Sequence, residues 1–556
     1  MKERYISLMG RTLEAYSFEH IQRYFNEVKT LGLKEHGFPR LTANIGILIS
    51  KGKKHELLPV FVEMMDFCCE NIPKVKAAND FSVKEIIFCI MELERTGVVS
   101  EEKIKFWKEC LRTIVPETCY TQYAKTPHDK IFNWALFTAV SEYMRTYIGL
   151  CDSSEFIDVQ IPTQLHWLDE NGMYRDDEEN PPMVYDLVPR GLFAVLLHFG
   201  YNGKYRRELD ECLRKAGLLT LKMQSVTGEV PFGGRSSQFP HNEAHLAIIL
   251  EYEASRYAKE GDLLLAGRFK AAANRALDNV ELWLSKNPIT HIKNRFPTET
   301  KYGCESYAYF DKYMITTASF LYVAQLICRD DIAEIQADLR APYTAKTSDE
   351  FHKIFLNAGG YFLEFETYAN MHYDASGLGR VHKMGAPSTV CMSAPCTASP
   401  SYEIDIKDAF DLSLAPGRLS DGKFVFATTP TSTYELKELS ENAEKGSAEA
   451  KFAVTLEDGE TVCAEYTVSE KGVEISVSGK GEIAHLLPAF DFDGEEYSEI
   501  SFDKNCLEIT YGGSKCKYTT HGEIVYTSDV ACSRHGHYKV FYAKANGKLS
   551  VKIEII

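Results

Sequence analysis

Residues able to do chemistry gather in four stretches of the chain. The sharpest is residues 227–254, TGEVPFGGRSSQFPHNEAHLAIILEYEA. Gly233-Gly234 permits close backbone approach, and Arg235 offers a planar fork suited to a carboxylate. Pro240 then opens a helix whose first residues are His241, Asn242 and Glu243. A dinucleotide or P-loop reading fails, because no strand precedes the glycines and no Lys follows in register. His241 and His245 share a helical face, but the metalloprotease arrangement needs Glu directly after the first His, and Glu243 is one place late. No metal or other cofactor is expected.

The second stretch, residues 170–193, holds a run of carboxylates from Asp176 to Glu179, of which Asp177 is a candidate, and then Tyr185-Asp186 between two prolines. Such a run is ordinarily a solvated loop. A third, residues 295–314, sets Tyr302, Tyr307, Tyr309 and Tyr313 around Glu305 and Asp311. Aromatic clusters are ordinarily packing, yet flat rings beside carboxylates also suit sugars, which present C–H faces and hydroxyls. The fourth, residues 126–137, brings His128, Asp129, Asn133 and Trp134 to a helix start, where Asp129 also reads as a capping residue and Asn133 as a backbone partner. The combined picture is an acidic, aromatic-lined rim with a few Arg.

The elements that must position these groups change character along the chain. Up to about Arg340 the segments repeat apolar residues at i, i+3, i+4 and i+7, as in LLPVFVEMMDFCCENI and NEAHLAIILEYEASRYAKEG. About a dozen such segments without a fixed repeat fit a toroid of six helical hairpins; an irregular bundle is the alternative. Residues 338–350 break the period and read as a linker. Beyond them the period becomes two, with Phe452, Val454 and Leu456 before Asp458-Gly459 and Leu549, Val551, Ile553 and Ile555 after Asn546-Gly547. The expected architecture is multidomain, α then β: an (α/α)6 toroid over residues 1–340 and an antiparallel β-sandwich over 350–556.

Composition narrows the partners. With 62 Lys plus Arg against 79 Asp plus Glu, the net charge is −17, which would repel a phosphate backbone. No basic run with interleaved aromatics occurs, so nucleic acid is not expected. The N-terminus lacks an apolar signal core and no stretch of 18 apolar residues occurs, so membranes are not expected and the chain reads as cytoplasmic. The 15 cysteines lie mostly in apolar periodic segments, as reduced thiols do. A homodimer is left open.

The order of motifs resembles that of a known family. FNWALF (132–137), NGMYRDD (171–177) with VYD (184–186), and GEVPFGGRSSQF (228–239) are similar to the NNW-LF, GWY-DG with DYYN, and PYGRS motifs of glycoside hydrolase family 154, which includes β-glucuronidases. The resemblance spans residues 125–330, with Phe132 for the first Asn, Asp176-Asp177 for the DG, and Gln238-Phe239 for the Tyr-Arg. It implies an (α/α)6 toroid followed by a β-sandwich. The same plan is shared by alginate and heparin lyases, whose Asn or His, Tyr and β-domain His would here be His241 or Asn242, Tyr302 or Tyr307, and His372 or His382.

The leading expectation is therefore an exo-acting glycosidase, β-glucuronidase-like, on uronic-acid-containing oligosaccharides. Hydrolysis needs a protonated carboxylic acid and a second carboxylate. Asp186 and Glu243 lead, followed by Asp177, Glu305 and Asp311, with Arg235 gripping the uronate. His241, Asn242, Tyr185, Tyr302, Tyr307, Trp134 and His128 are the expected sugar contacts. The alternative is a lyase cleaving uronates by β-elimination, with Arg235 and Asn242 neutralising the carboxylate and a Tyr or His moving the proton. A second alternative is a non-catalytic sugar-binding protein.

Overall fold

The computed structural model describes residues 1–176 and 181–556. Among these, fourteen α-helices precede the first strand: α1 (Lys2–Leu13), α2 (Phe18–Leu31), α3 (Gly37–Ser50), α4 (Leu58–Asn71), α5 (Asn79–Thr96), α6 (Glu101–Arg112), α7 (Pro116–Cys119), α8 (Trp134–Tyr147), α9 (Ser154–Leu165), α10 (Met183–His198), α11 (Arg206–Met223), α12 (Pro240–Glu260), α13 (Leu263–Leu284) and α14 (Phe310–Ile327). Burial sorts them into two rings. Every residue of α3 is buried, whereas α2 buries only Ile21, Phe25 and Val28, one stripe at spacings of four and three. A helix that is dry all round must have neighbours on every side, and α3, α5, α8, α10, α12 and α14 pack one on the next until α14 closes against α3. The remaining helices lie outside this ring; α4, α9, α11 and α13, for example, pack on α3, α8, α10 and α12.

α12 shows how local sequence sets an inner helix. Pro240 occupies its first turn with Glu243, where a missing N–H costs nothing and a carboxylate suits the dipole, and Gly261 ends it at φ 87°.

The second half is antiparallel throughout. A four-stranded sheet runs in chain order through Tyr343–Lys346, Lys353–Ala358, Tyr361–Glu366 and Gly377–Lys383. An eleven-stranded sheet is built on the long pair Gly472–Phe492 and Gly536–Ile555. Strand Ser447–Thr455 alternates buried and half-buried side chains, the period of two seen in the sequence. One apolar core joins both sheets, with Phe365 of the first 4.9 Å from Tyr466 of the second. The architecture is an (α/α)6 toroid followed by layered antiparallel β-sheets. One local expectation is corrected: the segment read as a linker carries strand Tyr343–Lys346, which pairs with Lys353–Ala358, because a short edge strand needs only four residues and leaves little periodic signal.

Where the two halves meet, the first sheet carries a cluster of buried charge. Lys353 faces Glu364 and Glu366 at 3.2 and 3.1 Å, and Arg380 meets Glu364 at 3.0 Å, all four side chains being buried. From this sheet Arg380 donates to the Val230 carbonyl (2.7 Å) and Glu364 accepts from the Phe232 N–H (3.3 Å), while Asp374, in the loop before the last strand, accepts from the Gly234 N–H (2.8 Å). The first sheet thus holds the Gly-Gly-Arg loop from behind.

Candidate functional site

The six inner helices all point their N-termini at one cavity of about 380 Å³. Each contributes residues of its cap or first turns: His36 and Arg40 from α3, Ala78 and Phe81 from α5, Asn133, Trp134 and Phe137 from α8, Val184, Tyr185 and Val188 from α10, His241 from α12, and Lys312, Tyr313, Thr316 and Phe320 from α14. Arg235, Ser236 and Tyr307 arrive on loops. Six helix N-termini and the cations Arg40, Arg235 and Lys312 converge here, and no carboxylate lines the wall among the described residues. In a chain of net charge −17 this is a local reversal of sign, suited to an anion.

Ser236 is the hub. Its hydroxyl lies 3.2 Å from the Tyr307 hydroxyl, 3.1 Å from that of Tyr313 and 3.5 Å from that of Tyr185. The backbone there is held in the left-handed region, at φ 72° for Gly234 and 57° for Ser236. Gly234 has no alternative: a Cβ there would sit 2.7 Å from Pro182. The Ser236 N–H donates to Glu305 at 2.6 Å, and Glu305 is itself clamped by Arg534 at 2.6 Å. Asn242 donates to the Ser236 carbonyl at 3.2 Å.

Arg235 lies over the Tyr185 ring, 4.3 Å from its centroid, and donates to the buried Asp176 at 2.8 Å. Asp176 also accepts from the Asn133 amide side chain (3.0 Å) and backbone N–H (3.2 Å). Burial pushes the Asp176 carboxyl up, and Arg235 pulls it back. His241 is dry, and its Nδ1 has no hydrogen-bond partner among the described residues. Burial, assisted by His245, Arg40 and other nearby cations, holds its pKa well below the usual value, so the imidazole is neutral at pH 7. Tyr307 is raised above the ordinary phenol value, by burial first and by Tyr185 and Glu305 after it. His241, Tyr313 and Tyr307 form a row, with ring centroids 5.2 and 6.2 Å apart.

Of the residues expected at the site, Arg235, Tyr185, Tyr307, Trp134 and His241 line this cavity. The carboxylates do not, and each described one is occupied elsewhere. Asp186 is buried against Arg190, whose Nε is 2.9 Å away, and accepts from the Tyr174 N–H. Glu243 faces Lys293 at 2.6 Å and accepts from the Val230 N–H at 3.1 Å. Burial pushes its carboxyl up against the pull of Lys293. Glu305 supports the loop as described. Asp311 pairs with His20 at 2.7 Å on the outside. Asp177 lies outside the described residues. Tyr302 stacks on Phe296 at 3.7 Å and donates to the Ser533 carbonyl, so it packs the helical half on the β half. Asn242 braces the loop without lining the cavity, and His128 sits on an exposed turn beside a different surface depression. His372 is exposed, whereas His382 is buried with both ring nitrogens bonded, to Ser225 at 2.7 Å and Ser393 at 3.0 Å.

Sequence reasoning missed His36, Arg40, Lys312, Asp176 and Ser236. Two cues existed. Asp176 and Ser236 stand inside the second and sharpest stretches, and His36 and Lys312 fall at helix starts, the positions a toroid gathers on one rim.

No protein-family model matches the chain, and no curated protein matches its sequence. The fold is similar to that of heparinase III, at 9% identity over 94% of this chain and 77% of that one, with a TM-score of 0.54. It is also similar to Streptomyces coelicolor A3 chondroitin AC lyase in complex with chondroitin sulphate, at 9% identity over 99% and 83% of the two chains, with a TM-score of 0.48. The first likeness is one of fold, a helical toroid followed by antiparallel β-sheets.

Proposed function

We propose that the protein is a lyase that cleaves uronic-acid-containing oligosaccharides or polysaccharides by β-elimination. One observation carries this: the cavity is lined by tyrosines, histidines, an asparagine and cations, while every described carboxylate expected to hydrolyse a glycoside is engaged in an ion pair, a hydrogen bond or both elsewhere. Hydrolysis requires two carboxyl groups facing the scissile bond. Elimination requires an anion-binding group, a base and an acid. The fold-level likeness to heparinase III supports the same reading as analogy.

The residues fall into roles. Arg235, oriented by Asp176, and the Asn133 end of α8 bind the uronate carboxylate, which makes the C5 proton more acidic. Neutral His241 accepts that proton as the C5–H bond breaks, and its electron pair becomes the C4–C5 double bond. The C4–O bond breaks in turn, and Tyr307, held in its protonated form, gives its proton to the departing oxygen. Tyr313 and Ser236 keep Tyr307 in place.

The product decides. Elimination leaves a conjugated unsaturated uronate that absorbs at the ultraviolet edge. Incubation with a library of uronic-acid oligosaccharides should produce growing absorbance, together with a product lighter by one water than the hydrolytic one. Release of saturated uronic acid without absorbance would reject elimination and restore the glycosidase.

A further inference from the structure

The structure assigns a second, unrelated site: Asp405, Cys532 and His537 form a three-ligand site for a zinc-like divalent ion. One ligand atom from each residue lies within 4.8 Å of the others. Cys532 and His537 are cross-strand partners at the end of the hairpin formed by Glu523–Ser533 and Gly536–Ile555, so the ladder itself fixes their spacing. Asp405 comes from a strap 132 residues away and already meets His537 Nε2 at 2.7 Å.

Three features suit a metal. The set mixes a thiol, an imidazole and a carboxylate, the donor types zinc accepts and calcium or magnesium does not share at sulfur. The frame is rigid: Glu403 pairs with Gly303 and Cys304 through two backbone hydrogen bonds of 2.8 and 3.0 Å, and the Tyr302 hydroxyl donates to the Ser533 carbonyl at 3.1 Å. Cys532 is fully buried and the His537 ring is flanked by Phe296, Tyr302 and Phe492 at 5.5, 5.8 and 5.6 Å. Asp405, by contrast, is half exposed and free to adjust. Zn–N and Zn–O bonds of about 2.0–2.1 Å in a tetrahedral site require the carboxylate to back away from the imidazole by roughly 0.6 Å. The Cys532 thiol releases its proton to water as the sulfur–metal bond forms. Thiolate and carboxylate then balance the two charges of the ion, and water takes the fourth position on the Asp405 side.

Such an ion would tie the strap, the hairpin and the loop through Tyr302 into one unit. That loop continues to Glu305, which Arg534 of the same hairpin holds, and on to Tyr307 in the cavity. The clamp does not depend on which reaction the cavity performs.

Metal content and cobalt spectroscopy test it on the full chain. After chelation and dialysis against zinc, about one zinc per chain should remain. Cobalt(II) should give a thiolate charge-transfer band in the near ultraviolet together with strong visible bands of a four-coordinate ion. Cys532→Ser should abolish the charge-transfer band, while Cys463→Ser, at an exposed thiol, should leave it. Asp405→Asn, at a position too exposed to endanger folding, should weaken zinc binding at least tenfold and shrink the zinc-dependent rise in Tm. Substoichiometric zinc in the wild type, or a charge-transfer band that survives Cys532→Ser, would overturn the site.

Discussion

The cavity and the junction behind it are built from the same residue types and put them to opposite uses. At the junction, Lys353 and Arg380 face Glu364, Lys353 also faces Glu366, and Lys293 faces Glu243, each buried charge meeting its opposite. Burial of that kind is tolerable only in pairs. In the cavity, Arg40, Arg235 and Lys312 converge with six helix N-termini and no carboxylate on the wall among the described residues. Behind that wall Arg235 is paired with Asp176 and Arg40 with Glu85, so among the described residues it is the six helix N-termini and Lys312 that leave positive potential for a ligand to meet. A buried Glu is therefore evidence of architecture until its partner is known, and a cluster of like charges is evidence of function.

The comparison breaks most sharply at Glu243. If it belongs to the junction, Glu243→Gln leaves Lys293 poorly compensated and should cost about 3 kcal/mol of stability, the scale for breaking a buried pair. Urea denaturation measures this, and kcat/KM at a temperature where the variant is folded should stay within about threefold, below the 10² or more that loss of a general acid or base costs. A collapse of turnover in a fully folded variant would move Glu243 into the site.

On the cavity side, Tyr307→Phe removes the proposed proton donor and should lower kcat by about 10² to 10³ with little change in KM. Its acidic limb is informative as well. The His241 pKa is depressed by burial, so the imidazole stays neutral as pH falls through 6.5, and kcat/KM should not decline with the ordinary histidine titration. The corresponding stability effect has a definite sign. Buried neutral histidines such as His485, lowered to about 4, contribute stability that is fully present above pH 6.5 and is lost as pH falls toward 4. Tm should therefore drop across that window while the Tyr307-dependent rate does not follow a pKa of 6.5.

Arg235→Lys tests geometry rather than charge. Lys keeps the cation but loses the planar fork that Asp176 orients and Tyr185 stacks against. A rise in KM of about tenfold, with a smaller change in kcat, is expected for a binding group.

Much of the architecture could be read from periodicity. The inner helices and the strands announce themselves because burial on all sides and burial on one face leave different patterns. The tyrosine stretch and the Gly-Gly-Arg loop were also legible as candidates, and the structure joins them through Ser236. Pairings between distant segments were not. Nothing in the sequence tells Glu243 that Lys293 stands opposite, or brings His36 and Arg40 of α3 to Lys312 of α14. Asp186 is the instructive case. Arg190 follows it by four residues on one helix, the spacing of an ion pair, and that pairing buries the carboxylate away from the cavity.

The smallest predicted effect concerns Asp311, a candidate acid by sequence that stands just outside the boundary. Its carboxylate meets His20 at 2.7 Å with a side-chain exposure of 37%, so water screens the pair. It also lies in the first turn of α14, where a negative charge interacts favourably with the helix dipole by about 0.3–1 kcal/mol. Lys312 and Tyr313, its neighbours in sequence, turn the other way and line the cavity. Asp311→Asn removes one charge while keeping the shape, so thermal denaturation should show a loss of about 1 kcal/mol or less. Turnover should change by less than about twofold, because the field of one screened carboxylate on the outer face fades over roughly a Debye length of 8–10 Å. A tenfold loss of kcat in that variant would mean that the outer face of α14 takes part in the reaction, and the division between a charge-matched frame and a charge-hungry cavity would have to be redrawn there.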